Sequence, residues 1–238
     1  MHARIAERIA KTAGFVRGAT VLEIGPGTGM LTRELLKLGA HVVAVEADRE
    51  LFEKLQADFA DEIARGQLDL RHGDIRAFDI GALSKRYALV ANIPYYITGE
   101  IIRMFLEADN QPSTMTLLVQ KEVAIRIARS KKESILSLSV KAYGTPKYEF
   151  TVPRGAFKPA PNVDSAVLSI RDISRKHFAS RAQEETFFKL VHAGFAHKRK
   201  LLAKNLAEAG FVIEHIPAKA RAEDLALDAW LAFSGQLF

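Results

Sequence analysis

The stretch Glu23-Ile24-Gly25-Pro26-Gly27-Thr28-Gly29 limits what this chain can fold into more than any other. The strand-like run Thr20-Val21-Leu22-Glu23-Ile24 leads into it, and a helical pattern from Met30 to Leu38 leads out. Strand, glycine-rich turn and helix in succession make the first half of a βα unit, where glycine lets backbone approach a bound cofactor closely. The spacing departs from the dinucleotide fingerprint and Pro26 stiffens the turn, so the helix N-terminus need not face a phosphate. An ordinary tight turn has the same residues, so the rest of the chain must decide.

Further strand patterns follow at His41–Val45, Leu68–His72, Tyr87–Ala91 and Thr114–Val119. Helical patterns occur at residues 2–13, 49–60, 99–108 and 120–129, and a further helix is expected between the third and fourth strands. This rhythm implies a parallel, doubly wound sheet with ligands at the carboxyl ends of its strands. Leu136 to Tyr143 alternates as another strand, as do Tyr148–Val152 and Ser165–Arg171. After Asp172 only helices are expected. The predicted division is an α/β domain over 1–172 and a small all-helical domain over 173–238, with Trp230 in the latter's core.

The strand ends carry the candidate site residues. Glu46 ends the second strand, where an acidic side chain accepts hydrogen bonds from both ribose hydroxyls of a nucleoside. Asp48, two residues on, fits the N-cap of the next helix, and Glu46 sits too early for that role. Asp74 follows the third strand and suits either an adenine amino group or, more blandly, an Asx-turn. Asn92-Ile93-Pro94-Tyr95 follows the fourth: an amide, a proline and an aromatic are poor core material and suit the grip of a flat, hydrogen-bonding ring. Phe157-Lys158-Pro159-Ala160-Pro161-Asn162-Val163-Asp164 is a stiff, extended loop that orients Phe157 with little entropy left to lose.

Composition excludes several chemistries. With no cysteine among 238 residues there are no disulfides, thiolate metal sites or cysteine nucleophiles, which fits a reducing, cytoplasmic setting. No Ser-His-Asp pattern, metal-ligand spacing or phosphate loop ending in Lys-Ser/Thr is present, so no metal is expected. No apolar run is long enough for a membrane span. The net charge of +6 is modest, but between Arg171 and Lys204 nine Lys/Arg face three Asp/Glu. Lys198, Arg199 and Lys200, with Lys204 beyond, read as RNA phosphate contacts on the continuing face of a helix that also bears Leu201, Leu202 and Leu206.

A nucleoside-shaped pocket beside Asn-x-Pro-Tyr suits methylation of an adenine amine. That nitrogen is a poor nucleophile because its lone pair is delocalised into the ring. Acceptors on both N–H bonds, such as the Asn92 side-chain oxygen and the Ile93 carbonyl, draw it toward a tetrahedral shape. Pro94 aims the carbonyl and Tyr95 stacks on the base.

Taken together and in this order, Glu23–Gly29, Glu46, Gly73-Asp74, Asn92–Tyr95, Phe157–Val167 and Phe195–Leu202 resemble the rRNA adenine N6,N6-dimethyltransferases over nearly the whole chain, most of all the type that acts on the small ribosomal subunit. The resemblance implies a Rossmann-like class I S-adenosylmethionine-dependent methyltransferase with a helical C-terminal domain. It implies S-adenosylmethionine as cofactor, lined by Gly25, Gly27 and Gly29, with Glu46 on the ribose, Asp74 and Ile75 on the adenine, and Asn92 touching both donor and target. Tyr95 and Phe157 then sandwich a flipped adenine. Two neighbouring adenines near the 3′ end of small-subunit (16S) rRNA, in an immature 30S particle, are the implied targets of a monomeric enzyme. Family members normally begin with a basic segment that covers the donor, and this chain begins at what resembles the following helix. Rival readings are a macrolide-resistance methylase of large-subunit (23S) rRNA, a ribosome-assembly factor that binds RNA with little or no catalysis, and a methyltransferase of small molecules or proteins.

Overall fold

The computed structural model describes residues 2–238. Seven strands form one sheet: β1 (Thr20–Ile24), β2 (His41–Glu46), β3 (Leu68–His72), β4 (Ala88–Asn92), β5 (Thr114–Gln120), β6 (Thr145–Val152) and β7 (Ser165–Arg171), in the order β3-β2-β1-β4-β5-β7-β6. The first five run parallel, and β7 is antiparallel to both its neighbours. The sheet is therefore mixed. The order reverses between β1 and β4, and the crevice at that switch point opens at their carboxyl ends, where such sheets hold ligands.

Each face of the sheet buries its own apolar layer. The helices α1 (Ala3–Ala13), α2 (Met30–Lys37) and α3 (Arg49–Asp58) cover one face, with Ile9, Leu35, Leu55 and Phe59 packed on Val21, Val42 and Val90. The other face packs α5 (Thr98–Glu107), α6 (Lys121–Ala128) and α7 (Ile135–Tyr143), with Ile101, Phe105, Ile127 and Tyr143 on Leu22, Leu89 and Leu117. A five-residue helix, α4 (Ala60–Ala64), follows α3. Asp48 caps α3 as expected, its carboxylate accepting from Leu51 N–H at 3.0 Å.

Two expected elements differ. Leu136–Tyr143 is a helix. Ser134 caps it through Ser137 N–H, and the hydroxyl of Ser137 answers back to Ser134 N–H. Its alternating Leu-Ser-Leu-Ser pattern mimics a strand because the helix is buried on both sides. Val140 and Tyr143 face the sheet while Leu138 and Ala142 face the helical tail, and Ser139 satisfies its hydroxyl on Ile135 C=O at 2.8 Å. Between β3 and β4 there are two short 3-10 turns, Ile75–Ala77 and Ile80–Ala82, in place of the expected helix. Asp74 and Asp79 start them by accepting the N–H two residues on, which competes with helix propagation.

After β7 come α8 (Arg181–Gly194), α9 (Leu202–Glu208) and α10 (Leu227–Gly235). They share a core with α7, in which Trp230, Phe187 and Leu190 are fully buried. Buried Glu184 binds this layer to the α/β part: Tyr143 OH donates to it, and Arg175 and Arg181 pair with it.

Candidate functional site

Backbone conformation sets the floor of the crevice. Gly25 and Gly27 have φ of +63° and +60°, and a Cβ on either would meet open space, its nearest atom lying 3.9 Å away at Gly27. These two leave main chain bare toward the crevice, which suits a ligand in close contact. Gly29 is different. A Cβ there would lie 2.5 Å from the Phe59 ring, so its glycine is required by packing against α3 and by the left-handed start of α2.

Glu46 binds the loops together. It is 6% exposed; Oε2 accepts from Gly27 N–H at 2.9 Å and Oε1 from Asp48 N–H at 3.0 Å. Its backbone carbonyl accepts from Gly73 N–H at 2.9 Å. One residue thus fixes the ends of β1, β2 and β3. A carboxylate offers about four lone-pair positions, so about two remain, one on each oxygen, which matches a ribose diol. Glu23 lies buried on the neighbouring strand. Burial, helped by the nearby Glu46 charge, pushes its carboxyl up to about 8, so it is uncharged at neutral pH.

Asp74 is the Asx-turn of the blander expectation. It accepts from Arg76 N–H at 2.9 Å, and the Arg76 guanidinium grips both its oxygens, which holds its carboxyl down at about 2. Three N–H donors of Arg76 thus use about three of its four acceptor positions, which leaves about one for an adenine amine. Ile75 is buried against Ile24 and Val45 and anchors the turn.

Across the switch point, Asn92 ends β4 with its side chain exposed, Ile93 is buried, and Pro94 starts a 3-10 turn over Tyr95–Ile97. Pro94 C=O accepts from Ile97 N–H at 3.2 Å. Tyr95 is half-buried, and its hydroxyl lies 2.7 Å from Ser165 Oγ at the start of β7. Phe157, in the loop before β7, is half-buried against the apolar layer on the α1 side of the sheet. His2 N–H donates to Ala156 C=O at 3.1 Å, which brings the start of α1 beside this loop.

Two residues here carry no sequence signal of their place in the site. Ser165 lies 70 positions from Tyr95, so no local signal marks the pair. Tyr96 is 88% exposed at the mouth of the site, one residue after the half-buried Tyr95. The dipeptide Tyr95-Tyr96 was the available signal, but it does not say which ring faces out.

The basic run lies on a turn between α8 and α9; it does not continue a helix. Gly194, the last residue of α8, is glycine because a Cβ there would lie 2.3 Å from the Trp230 ring. The turn is anchored: Phe195 stacks on Trp230 with centroids 5.8 Å apart, and buried Asn205 donates to the carbonyls of Gly194 and His197 at 2.6 and 3.2 Å. Lys198 and Arg199 stand exposed on it, and Lys204 is exposed on α9. Lys200 is paired with Glu208 at 2.8 Å.

No helix among the described residues is long and apolar enough to cross a membrane. The same residues contain no cluster of three or more His, Asp or Glu able to hold a metal ion.

Comparison with known proteins agrees with this geometry. The family profile described as ribosomal RNA adenine dimethylase matches residues 2–233. A ribosomal RNA small subunit methyltransferase A of Dehalococcoides mccartyi is 40% identical, over 89% of this chain and 76% of its own length. The protein of that name in Fusobacterium nucleatum is 35% identical, over 95% and 89%. Among solved structures, the 23S rRNA methyltransferase ErmE superposes with a TM-score of 0.81 at 26% identity, over 100% of this chain and 98% of its own. A dimethyladenosine transferase from Plasmodium falciparum shares the fold, with a TM-score of 0.79 at 22% identity over 98% and 94%. With a Rossmann-like α/β sheet, a bare glycine loop and Asn-Ile-Pro-Tyr at its switch point, the chain belongs to the ribosomal RNA adenine dimethylase family.

Proposed function

We propose that this protein is the S-adenosylmethionine-dependent enzyme that dimethylates the N6 amines of two adjacent adenines near the 3′ end of small-subunit (16S) rRNA, acting as a cytoplasmic monomer on the immature 30S particle. The observation that carries the reading is the juxtaposition at the β1/β4 switch point. Open backbone at Gly25 and Gly27, the half-used Glu46 carboxylate and exposed Asn92 lie at the carboxyl ends of adjoining strands, with Ile24 paired to Ala91 and Gly27 bonded to Glu46. The small-subunit target is favoured over the large-subunit one because the relatives at 35–40% identity carry the small-subunit name, whereas ErmE stands at 26%.

These residues fit the cofactor. Gly25, Gly27 and Gly29 supply the backbone around it, Glu46 its ribose acceptors, and Asp74 and Ile75 the adenine end. When bound, S-adenosylmethionine supplies an electrophilic methyl on a sulfonium. The chain's own part is orientation. Asn92 Oδ1 and the Ile93 carbonyl accept from the target amine and localise its lone pair. Buried Ile93 fixes that carbonyl, and Pro94 sets the turn. Tyr95, tethered through its hydroxyl to Ser165, keeps its ring in place, and Phe157 forms the opposite wall around an adenine drawn out of its stack. Residues 1–172 form the catalytic domain. The helices of 173–238 hold the RNA backbone through Lys198, Arg199, Lys200 and Lys204.

Asn92→Ala tests the reading. It removes one acceptor from an exposed position, so the fold and RNA affinity should be kept while methyl transfer from labelled donor falls about 100-fold or more, the scale of removing one charge-stabilising group from a reacting centre. Transfer at the parent rate would remove the stretch from the chemistry.

A further inference from the structure

The carboxyl end of β5 and the loop before β7 enclose a recess of about 460 Å³ outside the pocket described above. Gln120, Lys121, Glu122, Ile125, Val163 and Asp164 line it. It joins the adenine pocket through its walls. Gln120 pairs with Ser165, the residue that holds the Tyr95 hydroxyl, so the two spaces share a wall. Val163 belongs to the loop that carries Phe157. That loop is closed at its base by Arg154 N–H donating to Asp164 Oδ1 at 3.0 Å, and Lys121 N–H donates to Asp164 C=O at 3.0 Å. Finally, Asn92 lies opposite Leu118 in the β4–β5 ladder. Gln120 is two residues further along, which puts it about 8 Å from Asn92 by strand spacing and rise. That is one nucleotide's reach along an extended RNA strand.

The chemistry of the lining suits a base. Ile125 and Val163 are 38% and 43% exposed and present aliphatic surface to water across the recess. The faces of a nucleobase cover such surface well. Gln120 offers a carboxamide, both donor and acceptor, for a base edge. Glu122 is held by Arg126 at 2.7 Å on α6's outer side, and Asp164 is engaged by the loop. Lys121 remains as the local cation for a phosphate. Hydrogen-bonding edge, apolar walls and cation together describe a nucleotide.

We propose that this recess is a second nucleotide subsite, which holds the base directly next to the adenine in the Tyr95–Phe157 pocket. The proposal rests on the reading of the chain as an rRNA adenine dimethyltransferase. It gives the enzyme a grip on its strand at the register of the reaction, separate from the distant basic turn.

The test uses Ile125→Ala/Val163→Ala and, as a conservative counterpart, Ile125→Leu/Val163→Ile. Both act at partly exposed positions. Methyl transfer is measured on assembled small-subunit particles whose rRNA carries the intact adenine pair, or an abasic residue on either side of the reacting adenine. The alanine pair should raise KM for the intact substrate about 5-fold or more, the low end of the scale for a base stacked on an aromatic side chain, with kcat nearly unchanged. The conservative pair should restore KM. On the substrate lacking the base that fills the recess, parent and alanine variant should have the same raised KM. An alanine variant that loses as much on both abasic substrates as on the intact one, or that loses nothing on the intact one, overturns the subsite. If the parent methylates no intact particle, the functional reading itself fails and the subsite with it.

Discussion

Replacing Glu46 with glutamine probes the donor site at its most constrained residue. Its carboxylate uses one lone-pair position on each oxygen for a backbone N–H, from Gly27 and from Asp48, and leaves one on each for a ribose hydroxyl. Glutamine is nearly the same size but has one oxygen and one NH2. Whichever way the amide turns, its NH2 faces a backbone N–H, and one ribose hydroxyl is left without its acceptor. A hydrogen bond to a charged group contributes about 1.5–3 kcal/mol, so removing the ribose hydrogen bond alone weakens binding roughly 10- to 150-fold. Isothermal titration with S-adenosylhomocysteine measures this directly. A dideoxyribose analogue separates the ribose interaction from a general loosening of the loop: the parent's preference for the natural ribose should shrink in the variant. A glutamine variant that melts normally and binds within about twofold of the parent would refute the lone-pair accounting and take Glu46 out of the donor site.

Two further outcomes follow from other parts of the molecule. The Glu23 carboxyl is raised by burial from its ordinary 4.5 to about 8, so the folded state holds a proton that the unfolded chain has released across that window. Stability therefore falls as pH rises through the window, and the burial penalty is complete above it. Glu23→Gln should flatten urea-melt stability across this range and exceed the parent above about pH 8, by roughly a few kcal/mol; an unchanged pH profile would contradict this. In RNA-binding titrations, Lys198→Ala/Arg199→Ala should make the dependence of log K on log salt shallower by about 0.7–0.9 for each phosphate that is no longer neutralised, while Lys200→Ala, already paired with Glu208, should change it less. Equal effects at all three positions would mean the ion pair does not persist in the complex.

Much of this was legible in the chain because the informative residues sit where local pattern meets topology. Glycines at +60° φ, a capping Asp48 and the Asn92 turn each follow a strand, and a parallel sheet brings strand ends together without any need to know the side-chain packing. What escaped needed tertiary information. Leu136–Tyr143 is buried on two sides, so its period imitates a strand although it forms a helix. Gly29 reads like Gly25 and Gly27 until Phe59 is seen against it. Lys198–Lys200 reads as helix by local pattern, whereas the turn there is held by tertiary contacts, Phe195 on Trp230 and Asn205 on the Gly194 and His197 carbonyls. Asp74 by itself favours the Asx-turn, and the turn is there, but its pairing with Arg76 across both oxygens is not written in the local pattern.

The central claim is that the Asn92 crevice transfers methyl groups to adenine N6. Incubating the protein with labelled donor and immature small subunits, then mapping modified nucleotides, tests it most directly. The account predicts N6,N6-dimethyladenine at two adjacent positions near the 3′ end of the small-subunit rRNA, and none in particles treated with the Asn92→Ala variant. Label in large-subunit rRNA alone, on a different atom, or at equal levels with the variant would contradict it.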